Sequence, residues 1–110
     1  VRKAKYLLLA AALMLSLAPA RAAEPLKVGV SLSLTGGSAV NGKQLLAALE
    51  IWRDDVNAKG GLLGRPVQLD YYDDQSAQSN APAIYTKLID VDKVDLVIGP
   101  YGTNIIAATL

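Results

Sequence analysis

The chain has 110 residues, no cysteine and no histidine, with eleven basic side chains against ten acidic ones. Those absences remove the commonest general base, any thiol nucleophile, any disulfide and the usual zinc ligands. The formal charge of +1 gives no basic surface for nucleic acid.

The first residues read as an address. Arg2, Lys3 and Lys5 give a positive start, Tyr6 to Ala18 an apolar run, and Ala20-Arg21-Ala22 a small-x-small cleavage site. A membrane-spanning helix needs roughly 20 apolar residues, and this run is shorter and is followed by Pro19. Residues 1–22 are therefore predicted to be a cleaved signal peptide, with the mature chain in the periplasm. With no cysteine to carry a lipid, it is not expected to be a lipoprotein. Four of the eleven bases (Arg2, Lys3, Lys5 and Arg21) fall in the leader, so residues 23–110 hold seven bases against ten acids, a net −3. No internal repeat, charge run or low-complexity tract follows.

Leu26 to Leu32 alternates large apolar residues with small Gly29 and Ser31, which predicts a strand whose second face lets a helix pack closely. Ser33 to Asn41, rich in Ser, Thr and Gly, reads as a loop. Gly42 to Lys59 is predicted to be a helix, with Leu45, Leu49, Trp52 and Val56 as its apolar stripe and Trp52 packed in the core. Gly60 and Gly61 can close that helix in the left-handed conformation. Val67 to Tyr72 alternates as a half-exposed strand, with Tyr71 and Tyr72 divided between core and surface. Ser79 or Asn80 can cap a second helix, with Pro82 in its first turn and Ile84, Leu88 and Val91 on its apolar face. Val94 to Gly99 reads as a third strand, and a further helix is expected to begin near Asn104.

Strand and helix in alternation imply a parallel sheet joined by right-handed crossovers, an α/β doubly wound fold. The first and third strands are the more apolar or closely packed, and the second is amphipathic, so the predicted order is 2-1-3 with a helix on either face. Ligands in such sheets bind beyond the carboxyl ends of the strands, where the winding reverses. That point lies between strands one and three. The loops 33–41 and 100–103 are expected to flank it. The apolar third strand would be an open edge, so residues 23–110 are expected to be the start of a longer, incomplete lobe.

Few residues suggest chemistry. No nucleophile-elbow pattern surrounds a serine, and Gly60, Gly61 and Gly64 do not follow the first strand as a dinucleotide fingerprint requires. No cofactor is predicted. Asp73-Asp74 reads as a solvated pair that ends a strand and helps start the next turn; a metal site would need a third ligand. Tyr101-Gly102-Thr103 leaves the third strand and leads into a helix, so its backbone N–H groups and the Thr103 hydroxyl could seat a carboxylate. The other reading of Thr103 is a helix cap.

The run from Asn57 to Gln75, "NAKGGLLGRPVQL" followed by "YYDDQS", resembles the ligand-binding proteins of bacterial ABC importers, type I fold. The branch is that of the leucine/isoleucine/valine-binding proteins, and the likeness extends from Leu26 to about Ala107. It implies the amino-terminal lobe of a two-lobed protein that closes by hinge motion on a small ligand and delivers it to a membrane permease, with no chemistry of its own. In that family the segment matching Val97 to Thr103 offers a hydroxyl to the ligand's α-carboxylate, and Thr103 keeps that hydroxyl. Tyr101 and Gly102 lie in the same segment; the residue matching Tyr101 lies against the ligand side chain and is usually smaller and aliphatic. Asn41 stands where the family places an aromatic residue that lines the pocket. The implied ligand is an amino acid or a related amide or aromatic acid. The rival readings are an exported α/β enzyme and a ligand-sensing receptor module.

Overall fold

The computed structural model describes residues 22–110, so the predicted leader lies outside the described residues except for Ala22. Strand β1 (Leu26–Leu32) leads to helix α1 (Ala39–Ala58) and strand β2 (Val67–Asp73). Helix α2 (Ala81–Thr86) runs on into a wider π-helical turn (Lys87–Val91), then strand β3 (Leu96–Ile98) and helix α3 (Thr103–Ala107). The three strands are parallel in the order β2-β1-β3, as the patterning predicts. β1 pairs with β2 from Leu26 opposite Val67 to Leu32 opposite Asp73, and with β3 from Val28 opposite Leu96 to Val30 opposite Ile98.

The two faces of β1 pack differently. Leu26 and Val28 form a core with Val67, against which Val56 of α1, Leu62, Leu69 and Ile98 pack. Farther along the strand Val30 and Leu32 are fully buried, each contributing on the order of 1.5–3 kcal/mol. On the opposite face Gly29 lies under the π-helical turn that continues α2. A Cβ there would meet the side chains of Leu88 and Val94 at 3.1 Å, so the missing side chain is what lets the helix approach.

The stretch between α1 and β2 is architectural. The Asn57 side chain accepts from the Val67 N–H at 2.7 Å and donates to the Val67 carbonyl at 3.0 Å. It fastens the end of α1 to the start of β2. Gly61, at φ +84°, donates back to the Val56 carbonyl at 2.9 Å and closes the helix in the left-handed conformation. Arg65 then donates to the Glu24 and Pro25 carbonyls at 2.9 Å each and to Asp95 at 3.2 Å, pinning the entry of β1 beside the start of β3. All of these contacts lie at the amino end of the sheet.

Four expectations need correction. Helix α1 begins at Ala39, three residues before Gly42, because Gly36 at φ +81° turns the chain early and its carbonyl accepts from the Ala39 N–H. Trp52 is 37% exposed and lies outside the core, although α1 packs over β1 and β2. Val91 is exposed because the π-helical turn, where Asp92 N–H reaches back to the Lys87 carbonyl, swings it off the face that buries Leu88. β3 is shorter than Val94 to Gly99: Val94 packs under Gly29, and Asp95 exchanges bonds with Lys27. On this edge strand Leu96 and Val97 remain 54% and 49% exposed.

Candidate functional site

Parallel strands β1 and β3 are neighbours whose connections run to opposite faces of the sheet, so their carboxyl ends form the switch point at which such sheets bind ligands. The loop leaving β1 and the segment leaving β3 both emerge there. Of the diagnostic run from Asn57 to Gln75, the part up to Pro66 precedes β2 and sits at the opposite end, while Asp73 to Gln75 emerge at this one.

The β1–α1 loop, residues 33–38, is short and tightly held. A Cβ on Gly42 would come within 1.8 Å of the Ser33 carbonyl oxygen, so only glycine lets the first turn of α1 sit on the end of β1. Beneath the loop, Asp73 and Asp74 divide their work. Asp74 is fully buried and accepts hydrogen bonds from the Ser31 hydroxyl at 2.8 Å, the Ser33 hydroxyl at 2.7 Å and the Ser76 N–H at 2.9 Å. Asp73 accepts from the Thr35 hydroxyl at 2.7 Å and from the N–H groups of Leu34, Thr35 and Gln75 at 2.9, 3.3 and 2.8 Å. Burial pushes the Asp73 carboxyl up, but the Thr35 hydroxyl and the three N–H donors outweigh it and hold the group below its ordinary value. The expectation of a solvated pair is thus wrong for Asp74. It does help start the next turn, through Ser76. Among the described residues no group of three or more acidic side chains could hold a metal ion.

A residue that sequence reasoning missed sits at the switch point itself. The Tyr85 hydroxyl donates to the Ile98 carbonyl at 2.5 Å and receives the Ser31 N–H in a long contact of 3.4 Å. Val30 opposite Ile98 is the last register pair of β1 with β3, so the phenol enters where the ladder ends. Burial raises its pKa. Its position was readable: Ala81, Tyr85 and Leu88 are spaced along one helical face.

At the end of β3, Pro100 is buried and Tyr101 is exposed. Gly102, at φ +98°, is the N-cap of α3, and its carbonyl accepts from the Ile105 and Ile106 N–H groups at 3.1 and 2.9 Å. Thr103 is therefore the first helical residue, exposed, and the reading of it as the cap is overturned. Asn41 lies in the first turn of α1, exposed, where a loop position was expected. Thr103, Gly102 and Tyr101 are contiguous at the end of β3, and Asn41 belongs to the element that follows β1.

Residues 33–41 and 99–103 include no charged side chain. What these two segments offer is hydroxyls, an amide, a phenol and backbone groups, suited to holding a small polar ligand, and the nearby Asp73 and Asp74 carboxylates are taken up by the loop and by β1. A groove of about 580 Å³ lies along β2 beside Lys27, Asp70, Tyr71, Tyr72 and Asp92. Several of its polar groups are already engaged. The Tyr72 hydroxyl donates to Asp92 at 2.7 Å, Lys27 Nζ donates to the Asp92 carbonyl, and Lys87 Nζ stands 3.8 Å from the centre of the Tyr72 ring. Tyr71 is exposed and Tyr72 only half-buried, so neither belongs to the core.

Comparison with known proteins agrees with this geometry. The family described as periplasmic binding protein matches residues 25–110. The Leu/Ile/Val-binding protein of Escherichia coli (strain K12) is 35% identical over 92 residues, covering 84% of this chain and 25% of that protein. The branched-chain amino acid transporter substrate-binding protein of Streptococcus pneumoniae, solved with isoleucine, superposes with a TM-score of 0.75 at 27% identity over 78% of this chain and 25% of its own. A solute-binding protein of an ABC transporter from R. palustris, solved with benzoate, gives a TM-score of 0.66 at 35% identity over 77% of this chain and 23% of its own. The chain thus spans about a quarter of the length of the curated relatives it matches.

Proposed function

Because the chain belongs to the periplasmic binding protein family, on the branch of the Leu/Ile/Val-binding proteins, we propose that it begins the amino-terminal lobe of an extracytoplasmic solute-binding protein. That protein captures a small carboxylate ligand, in the first instance an amino acid, and hands it to an ABC permease in the inner membrane. The observation that carries the reading is the exposed Thr103 at the carboxyl end of β3, beside the switch point, in a segment with no charged side chain. In this reading Thr103 and the Gly102 backbone receive the ligand carboxylate, while Tyr101 and Asn41 border its side chain. The open apolar edge of β3 supports a continuation of the sheet in a longer lobe. The leader, residues 1–22, directs export and is removed between Ala22 and Ala23. Amino-terminal sequencing of periplasmic protein tests that step, and a membrane-retained product that keeps the leader would count against it. No helix among the described residues is long and apolar enough to cross a membrane.

A second ligand class is favoured by one observation. Tyr101 and Asn41 depart from the residues expected for a branched side chain, and the relative solved with benzoate is as similar in sequence as the amino-acid binders. An aromatic acid would place its ring against Tyr101 and its carboxylate at Thr103. Calorimetry of the full-length protein with L-leucine, L-phenylalanine and benzoate separates the two classes. Saturable binding of any one without turnover supports a binding protein; chemical conversion of the probe would contradict it.

A further inference from the structure

We infer that Asp73 is a positioning residue for ligand binding: together with Ser76 it sets the β1–α1 loop in its binding shape before a ligand arrives. The inference rests on the proposed site at the carboxyl ends of β1 and β3. Left to itself, the loop would be among the softest parts of the chain, since Gly36 and Gly37 lie at its centre and it carries no charge. Instead it is fastened along its length to the turn after β2. Asp73 takes the Leu34 and Thr35 N–H groups and the Thr35 hydroxyl. The Ser76 hydroxyl donates to the Thr35 carbonyl at 2.7 Å and accepts from the Ser38 N–H at 3.0 Å. Gly36 fits closely over the turn, where a Cβ would meet the Gln75 carbonyl oxygen at 2.7 Å.

The supporting turn is itself held in an unfavourable conformation. Gln75 and Ser76 are successive non-glycine residues at φ +57° and +58°, a region that side-chain-bearing residues seldom enter. The Gln75 N–H bonds to Asp73 and the Ser76 N–H to Asp74, at 2.8 and 2.9 Å. The same two carboxylates therefore hold the strained turn and grip the loop and strand opposite. Loop and turn form one rigid unit. A loop fixed in advance spares the ligand the cost of ordering it, and a loop in its binding shape for only a fraction of the time weakens apparent affinity by that fraction.

Three variants of the full-length protein test this. Asp73→Ala deletes the acceptor. Asp73→Asn keeps an oxygen for the N–H donors, and its amide can donate to the Thr35 oxygen. Thr35→Val removes a single bond and keeps the loop if Asp73→Ala folds poorly. Binding of L-leucine, L-phenylalanine and benzoate is measured by calorimetry, and hydrogen exchange is followed at Ser38 and Ala39, whose N–H groups Asp73 does not touch. Asp73→Ala should lose roughly tenfold or more in affinity for whichever probe the wild type binds, with Thr35→Val losing several-fold and Asp73→Asn staying within about threefold. Exchange at Ser38 and Ala39 should quicken in Asp73→Ala while Val28 and Val30 stay protected. Wild-type affinity in both Asp73→Ala and Thr35→Val, or unchanged exchange at Ser38 and Ala39, overturns the inference. If the wild type binds none of the probes, the proposed ligand classes fall, and the exchange result alone decides on the loop.

Discussion

Asp73 and Asp74 stand side by side in the sequence and yet serve different groups, one the β1–α1 loop and the other the end of β1 itself. For Asp73 this division has a pH signature. Its carboxyl lies below the ordinary value in the folded chain, so as pH falls the unfolded chain takes up the proton first. The stability it contributes is full above about pH 4 and fades as pH drops through the folded value. Asp73→Asn cannot titrate at this position. Melting temperatures between about pH 2.5 and 6 should therefore fall less steeply toward acid in the variant than in the wild type; parallel curves would show that Asp73 carries no such linkage. The placement of Thr103 and Tyr101 at the end of β3 was legible because they follow the third strand directly. The hydrogen bonds of Asp74 were not, since their partners Ser31 and Ser33 lie more than forty positions away.

At the level of elements, the first half of the most recognisable stretch, Asn57 to Pro66, turns out to have no place at the site, whereas Asp73 at its other end braces the β1–α1 loop. Asn57, Gly61 and Arg65 serve the amino end of the sheet, where they join α1 to β2 and hold the start of β1. Asn57→Ala should therefore cost about 1–3 kcal/mol of stability, because it leaves the half-buried Val67 N–H and carbonyl without their partner. Ligand affinity should be untouched. Chemical denaturation together with calorimetry checks both, and a loss of affinity at full stability would place the motif at the site after all. The strands and their order were readable from alternation and from small Gly29, which the close approach of Leu88 and Val94 explains. Boundaries governed by backbone conformation were not. Nothing in composition marks the positive φ of Gly36 that starts α1 early, or the π-helical turn that turns Val91 outward. Trp52 shows a different limit: helical spacing tells which side of α1 faces the sheet, but not how far the sheet extends beneath it.

At the scale of the whole molecule, the proposed site gathers at one end of the sheet. Its floor is the ends of β1 and β3, joined by Tyr85, and its rims are the braced β1–α1 loop and the turn from Tyr101 to Thr103. Under the proposed function the ligand is held through hydroxyls and backbone groups at this end of the sheet, and Thr103 is the group on which that proposal depends most. Since Gly102 occupies the cap position, removing the Thr103 hydroxyl should disturb folding little. Its donated bond to a ligand carboxylate should contribute on the order of 1.5–3 kcal/mol. The decisive measurement is calorimetry of full-length wild type, Thr103→Ala and Thr103→Ser with the probe that the wild type binds, paired with their melting curves. The account predicts that Thr103→Ala melts close to wild type but binds roughly tenfold or more weakly, and that Thr103→Ser, which keeps the donor, regains most of the affinity. Unchanged affinity in Thr103→Ala would contradict it.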